Sequence, residues 1–441
     1  MSTTQSDRFK VSQISALQIF QLIRYTTLVL IGVVFSKSIL STNEIGQYES
    51  VMFLAGAATF FWLNGLIQGF LPSFKSDENG RKSNVLFNVF YILLALAVLS
   101  SAFLFIFERS ISSLFLKGVG VPFLRYLLLY LVLSTPSGLI EYIYLVYDKG
   151  KGMLVYGFVS YSLMFFFVVI PPVLGYGIEG GLIGLILSSL FRFIWVVILL
   201  FRYSSASLNL NFIRKHICIS APLVFSMLLS GSGQYIDGLI IGSHFDEATF
   251  AVFRFGAREF PLVLLLANAF NSSMLPGFSD VTKLVTNLEL IRSNSEKLAN
   301  WLFPLSGVLM LLSHLLFPVI FNNSFSGSAT IFNIYLLLII SRLLFPQTIL
   351  TGMQRNNAIL WASFLEIILN VGLSLWFLQL WGLPGVAYGT VCAYVFEKLI
   401  LMGFVKKIFG FNVSEYLNVK QHLVYSLLLA IEFIVIEYLI G

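Results

Sequence analysis

Charge is scarce in this sequence. Only 11% of its 441 residues are Asp, Glu, Lys or Arg, and 58% are hydrophobic. A soluble domain carries about 25% charged residues. A core cannot absorb this much apolar surface, so a water-exposed globule is excluded and the solvent must be lipid. Cysteine is nearly absent. Cys218 and Cys392 are the only two, both in or beside apolar runs, which speaks against a disulfide framework or a thiolate metal cluster. The four histidines, at 216, 244, 314 and 422, are scattered, so no metal site is expected. No GxxxxGK[ST] phosphate loop occurs, which argues against ATP hydrolysis by this chain. The net charge of +6 is too modest to argue for nucleic acid. The polar start MSTTQSDRFK and the lack of a small-residue cleavage site speak against a cleaved signal peptide.

What is present is a series of long apolar runs. Stretches of about 20 such residues read as membrane-spanning helices. Thirteen are expected, near 14–36, 48–73, 86–107, 122–147, 153–175, 179–202, 217–242, 247–274, 300–321, 328–352, 357–380, 383–405 and 421–440. The thirteenth carries Glu432 and Glu437 and is the weakest of the series. Arg8, Lys10, Lys75, Arg81, Lys82, Lys149, Lys151, Arg214, Lys215, Lys283, Arg292, Lys297, Lys406 and Lys407 fall on one side, whereas Lys37, Arg109 and Lys117 fall on the other. The positive-inside rule then puts the N-terminus in the cytoplasm.

The chain also repeats itself. YGIEGGLIG places glycines at 177, 180 and 184; WGLPGVAYG places them at 382, 385 and 389, each 205 residues further on. At nearly the same offset Asn64, Leu71, Pro72 and Phe74 match Asn268, Leu275, Pro276 and Phe278. The offset covers six spans, an even number, so both halves enter the bilayer in the same direction as parallel repeats. The expected fold is an all-α polytopic membrane protein of about 12–13 helices. Residues 1–202 form an N-terminal six-helix lobe, 203–216 a linker, 217–405 a C-terminal six-helix lobe, and 406–441 a cytoplasmic segment with an extra helix. The glycines are read as architecture, since small residues let helices approach closely and Gly tolerates φ > 0.

Ionisable residues inside spans mark function by default, because each costs about 2.5–3.5 kcal/mol at the helix centre. Arg24, Arg192, Arg258 and Arg342 lie deep, and Arg254 lies nearer an end. Arg24 has no acid in its own span, so it calls for an anion or a wet cavity. Arg254 and Arg258 share a face at i, i+4. If the two halves enclose a cavity, these arginines make it positive, and the planar guanidinium fork suits phosphate. Arg342 equally fits a structural pair with Glu366 on the next helix, and Arg192 equally fits a helix interface or a reach to a helix end. Gln21, Asn64, Tyr130 and Asn268 are candidate sugar or polar cavity contacts, with inter-helix hydrogen bonding as the alternative. Among the acids, Asp237, Glu141 and Glu366 are the ones to consider. Glu141, Glu397 and Lys398, near cytoplasmic ends, are read as solvated. The first two spans are read as free of any acid.

The segments EIGQYES, SAPLVFSMLLSGSGQYIDGLIIGSHFDEATFAVFRFG and GLPGVAYGTVCAYV resemble Wzx-like O-antigen and polysaccharide flippases. These belong to the multidrug/oligosaccharidyl-lipid/polysaccharide exporter superfamily. Pro222 and Asp237 stand where that family carries a Pro and an Asp in its seventh span. The resemblance implies a MATE/MOP-like fold of two lobes in a V, alternating access, and a location in the bacterial inner membrane. It implies an oligosaccharide on a polyprenyl diphosphate as substrate, with glycosyltransferases and a polysaccharide polymerase as partners. It also allows coupling to a proton or sodium gradient, for which Asp237, Glu141 and Glu366 are the candidates; no bound cofactor is expected. Two alternatives stand beside this reading. A cation-coupled multidrug exporter of the same fold would need an acid in its first lobe. A membrane glycosyltransferase or ligase would need an extracytoplasmic acid or His.

Overall fold

The computed structural model describes residues 13–71, 74, 84–118, 120–258, 263, 266, 267, 270, 274, 278 and 284–440. All regular structure among them is helical. This is the outcome lipid demands, because a helix satisfies its own backbone where no water can. The chain divides into two compact units, Met1–Leu228 and Leu229–Gly441.

The first unit holds α1 (Gln13–Lys37), α2 (Thr42–Phe70), α3 (Val85–Ile106), α4 (Glu108–Phe115), α5 (Leu124–Ser137), α6 (Leu139–Val146), α7 (Gly150–Val173) and α8 (Gly177–Tyr203). Most of α9 (Leu210–Gly231) belongs to it as well. The second holds α10 (Gly233–His244), α11 (Glu247–Gly256), α12 (Leu284–Ile320), α13 (Gly327–Leu336), α14 (Ile339–Arg342), α15 (Pro346–Gly352), α16 (Asn356–Trp381), α17 (Leu383–Phe409), α18 (Val413–Tyr416) and α19 (Val419–Ile440). Eleven described helices are long and apolar enough to cross a membrane, or twelve if the bent pair Gly327–Arg342 and Pro346–Gly352 is one span. The expected span 217–242 is broken between α9 and α10. Of the expected span 247–274, α11 covers ten residues, and most of the remainder lies outside the described residues. Pro72, Pro276, Asn268 and Asn271 are also outside them.

Helix ends follow local chemistry. Ser41 opens α2 with a capping box: its side chain accepts from the Glu44 amide while Glu44 accepts from the Ser41 amide. Asp246 caps α11 by accepting from Thr249 N at 2.8 Å. Pro136 inside α5 and the Gly138 junction separate α5 from α6 within one apolar run.

The repeated glycines do the same work in each unit. Gly177 (φ +60°) and Gly382 (φ +64°) turn the chain into α8 and α17. A methyl built on Gly184 would fall 1.8 Å from the Phe167 carbonyl oxygen, and one on Gly385 2.1 Å from that of Phe377. On Gly389 it would meet the Ser374 amide at 2.5 Å. Two hairpins, α7–α8 and α16–α17, are thus packed with their backbones touching.

The readings of four charged residues need correction. Glu141 is 8% exposed, and Glu397 and Lys398 are 6% exposed each. None is a solvated helix end. Lys398 Nζ lies 2.7 Å from Glu397 Oε2, and Ser363 donates to Glu397 from α16 at 3.4 Å. Neighbouring helices bury this pair although it lies in the latter half of α17. The second span is not free of acid either. Glu49 lies within α2 and is 6% exposed, so the absence of a first-lobe acid cannot be used against a drug exporter.

Candidate functional site

One polar pocket of about 260 Å³ opens inside the first unit. Its wall includes Arg24 of α1, Thr59 of α2, Tyr130 and Ser134 of α5, Glu141 of α6, Tyr156 and Tyr161 of α7, and Arg192 of α8. The local sequence explains how these meet. Gly157 leaves room for Phe20, whose ring a Cβ there would approach to 2.7 Å. Phe20 then stacks on Tyr156 at 5.9 Å. Arg24 follows Phe20 by four residues, and Tyr161 follows Gly157 by four, so one turn further along the same contact brings Arg24 to Tyr161. The close α7–α8 hairpin sets Arg192 against the Tyr161 ring, 5.9 Å from its centroid.

The two arginines differ in their partners. Arg24 faces Glu141, with Nη1 3.9 Å from Oε2. Its expected lack of a counter-ion is therefore corrected: the acid comes from α6, remote in sequence. Arg192 is 8% exposed. It donates from Nη2 to Ser189 Oγ at 3.0 Å, and its Nε is buried without a hydrogen-bond partner among the described residues. No carboxylate pairs with Arg192 among them. With two guanidiniums against one carboxylate on its wall, the pocket carries excess positive charge. Such a site is chemically suited to an anion of several oxygens.

Of the other expected contacts, Tyr130 lines this pocket, whereas Gln21 and Asn64 are not part of its wall. Tyr144 is not part of this wall either and accepts from Trp195 Nε1 at 3.0 Å. Asn268 lies outside the described residues. Sequence reasoning missed Tyr156 and Tyr161; the glycine at 157 was the one available signal.

A second buried polar cluster lies in the second unit. Asp237 on α10 is 4% exposed. It accepts from Thr390 Oγ1 of α17 at 2.5 Å and from the Tyr335 hydroxyl of α13. Thr390 and Ser374 also approach Asn370 Oδ1, at 3.2 and 3.0 Å. Asn370 donates to Glu366 at 3.2 Å. Two of the three acids singled out above thus share one hydrogen-bonded chain, while Glu141 stands in the first unit. No group of three or more His, Cys, Asp or Glu side chains there or elsewhere among the described residues is arranged to hold a metal ion. Arg342 packs over the Tyr394 ring at 4.7 Å, and Arg258 over Phe255 at 4.8 Å. Arg254 lies on α11, four residues before Arg258.

The family model described as polysaccharide biosynthesis protein matches residues 20–330. The chain belongs to that family. A search of curated proteins found no match. Among solved structures, the chain is similar to the lipid II flippase MurJ in an inward closed conformation. The identity is 18% and the TM-score 0.68, over 96% of this chain and 93% of that one. It is also similar to an inward-facing multidrug resistance MATE family transporter of the MOP superfamily. There the identity is 14% and the TM-score 0.64, over 90% of this chain and 98% of the other. A MOP superfamily transporter from Pyrococcus furiosus aligns at 15% identity and a TM-score of 0.53, over 90% and 94%. The chain therefore shares the fold of these structures, and it is a multi-pass membrane protein.

Proposed function

We propose that this protein is a flippase that moves a polyprenyl-diphosphate-linked oligosaccharide across the bacterial inner membrane by alternating access, for surface polysaccharide synthesis. The observation that carries this reading is Arg192: a buried guanidinium without a carboxylate partner, its Nε unsatisfied, on the wall of a pocket shared with Arg24. Burying an unpaired charge is costly, and a diphosphate headgroup offsets that cost. The pocket, about 260 Å³, is slightly below the roughly 300–1,000 Å³ of typical small-molecule sites. It suits the head and the first sugar, not a whole oligosaccharide. Tyr130, Tyr156 and Tyr161 supply ring faces and hydroxyls for that sugar. The excess positive charge disfavours a cationic drug in the same place. Asp237 and Glu366, joined through Thr390 and Asn370, are the candidates for coupling to a proton or sodium gradient.

The test is complementation of a flippase-deficient strain. Arg24→Ala and Arg192→Ala are expected to insert normally and to lose surface polysaccharide, with Arg192→Lys retaining a small fraction. Normal polysaccharide from both alanine variants would rule this function out for the pocket.

A further inference from the structure

We infer that Glu141 is an internal competitor for the anionic head: it faces Arg24 in the empty cavity, gives way to the head on loading, and so sets how readily the head is released. This rests on reading the pocket as a headgroup site. The geometry is that of a weak, replaceable contact. Arg24 Nη1 and Glu141 Oε2 are 3.9 Å apart, beyond hydrogen-bond length, so the attraction is Coulombic and loosely oriented. The Arg24 side chain is 45% exposed and that of Glu141 10%. The guanidinium therefore stands toward the cavity while the carboxylate sits in the wall. A guanidinium offers five N–H donors, and a carboxylate at this distance leaves its fork open to a phosphate. Arg192, in contrast, meets no carboxylate among the described residues.

A carrier must let go as well as bind. Two unopposed arginines would hold a diphosphate tightly, since charge-assisted contacts to phosphate are strong and often bidentate. Glu141 offers Arg24 an alternative anion, so the affinity for the head falls by whatever the Arg24–Glu141 attraction is worth. The acid sits on α6, an eight-residue segment behind the Pro136–Gly138 break, rather than on a long rigid helix. Glu141 acts through Arg24 and is a positioning residue.

The test uses the full-length protein in lipid nanodiscs, titrated with a sugar-free polyprenyl diphosphate and separately with inorganic diphosphate. Glu141→Gln keeps the shape and removes the charge. It should bind both probes about tenfold more tightly, within the usual range of coupling between sites, while export from reconstituted vesicles slows. Glu141→Asp, which withdraws the charge from Arg24, should give an intermediate gain and serves if the Gln variant fails to insert. In an Arg24→Ala background the substitution should leave affinity unchanged. Unchanged or weaker binding by Glu141→Gln, a gain that persists without Arg24, or a gain confined to the lipid-linked probe would overturn the inference. Undiminished binding by an Arg24→Ala/Arg192→Ala double variant would instead overturn the headgroup reading itself.

Discussion

Thr390 on α17 reaches across to Asp237 on α10, its hydroxyl 2.5 Å from the carboxylate. The contact joins a residue beside the second glycine motif to the one acid that sequence patterning had placed in the seventh span. It also passes through Asn370 to Glu366. Asp237→Asn keeps the size of the side chain and removes its charge. If this cluster couples transport to an ion, that variant should lose stimulation by an imposed sodium or proton gradient in vesicles. It should bind a polyprenyl diphosphate within about twofold of the parent, because the head site belongs to the first unit. Full gradient stimulation in Asp237→Asn would remove the cluster from coupling.

The two hairpins offer a stability contrast. Gly184→Ala sets a methyl 1.8 Å from a carbonyl oxygen, so α7 and α8 must separate. Overpacking of this kind costs about 1–3 kcal/mol, and the melting temperature in detergent should fall by several degrees. Gly403, on α17, has open space where a methyl would stand, with nothing within 4 Å. Gly403→Ala should melt at or above the parent temperature, since Ala in a helix is favoured over Gly by about 0.5–1 kcal/mol.

Glu397 and Lys398 form a buried pair, each side chain 8% exposed. Lys398→Met strands the carboxylate, a change that typically costs about 3–5 kcal/mol. Folded yield in detergent should drop sharply. The double change Lys398→Met with Glu397→Gln should recover most of it, because removing both charges removes the penalty. A single variant as well folded as the parent would show the pair to be hydrated.

Much of the architecture was legible in the chain alone. Lipid allows few solutions to an apolar chain, so length and hydropathy alone marked the helices. The glycine register pointed to two matched hairpins, and the backbone contacts of Gly184, Gly385 and Gly389 supply the physical reason for that spacing. The arginines at 24 and 192 were legible as costly residues, though nothing in their own spans joined them.

The depth of a charge was not legible. Glu141, Glu397 and Lys398 were placed near water by counting residues to the nearest helix end, yet all are buried. Glu49 was overlooked for a related reason: it stands close to the start of a span, yet it is buried.

The one-dimensional pattern by itself determined that this is a helical membrane protein, because apolar length acts locally along each helix. Which charges meet was decided only by the tertiary structure. Arg24 and Glu141 are separated by more than a hundred residues and are brought within 3.9 Å by helix packing. Coulomb interactions depend on distance through space, and no periodicity in the chain encodes that distance.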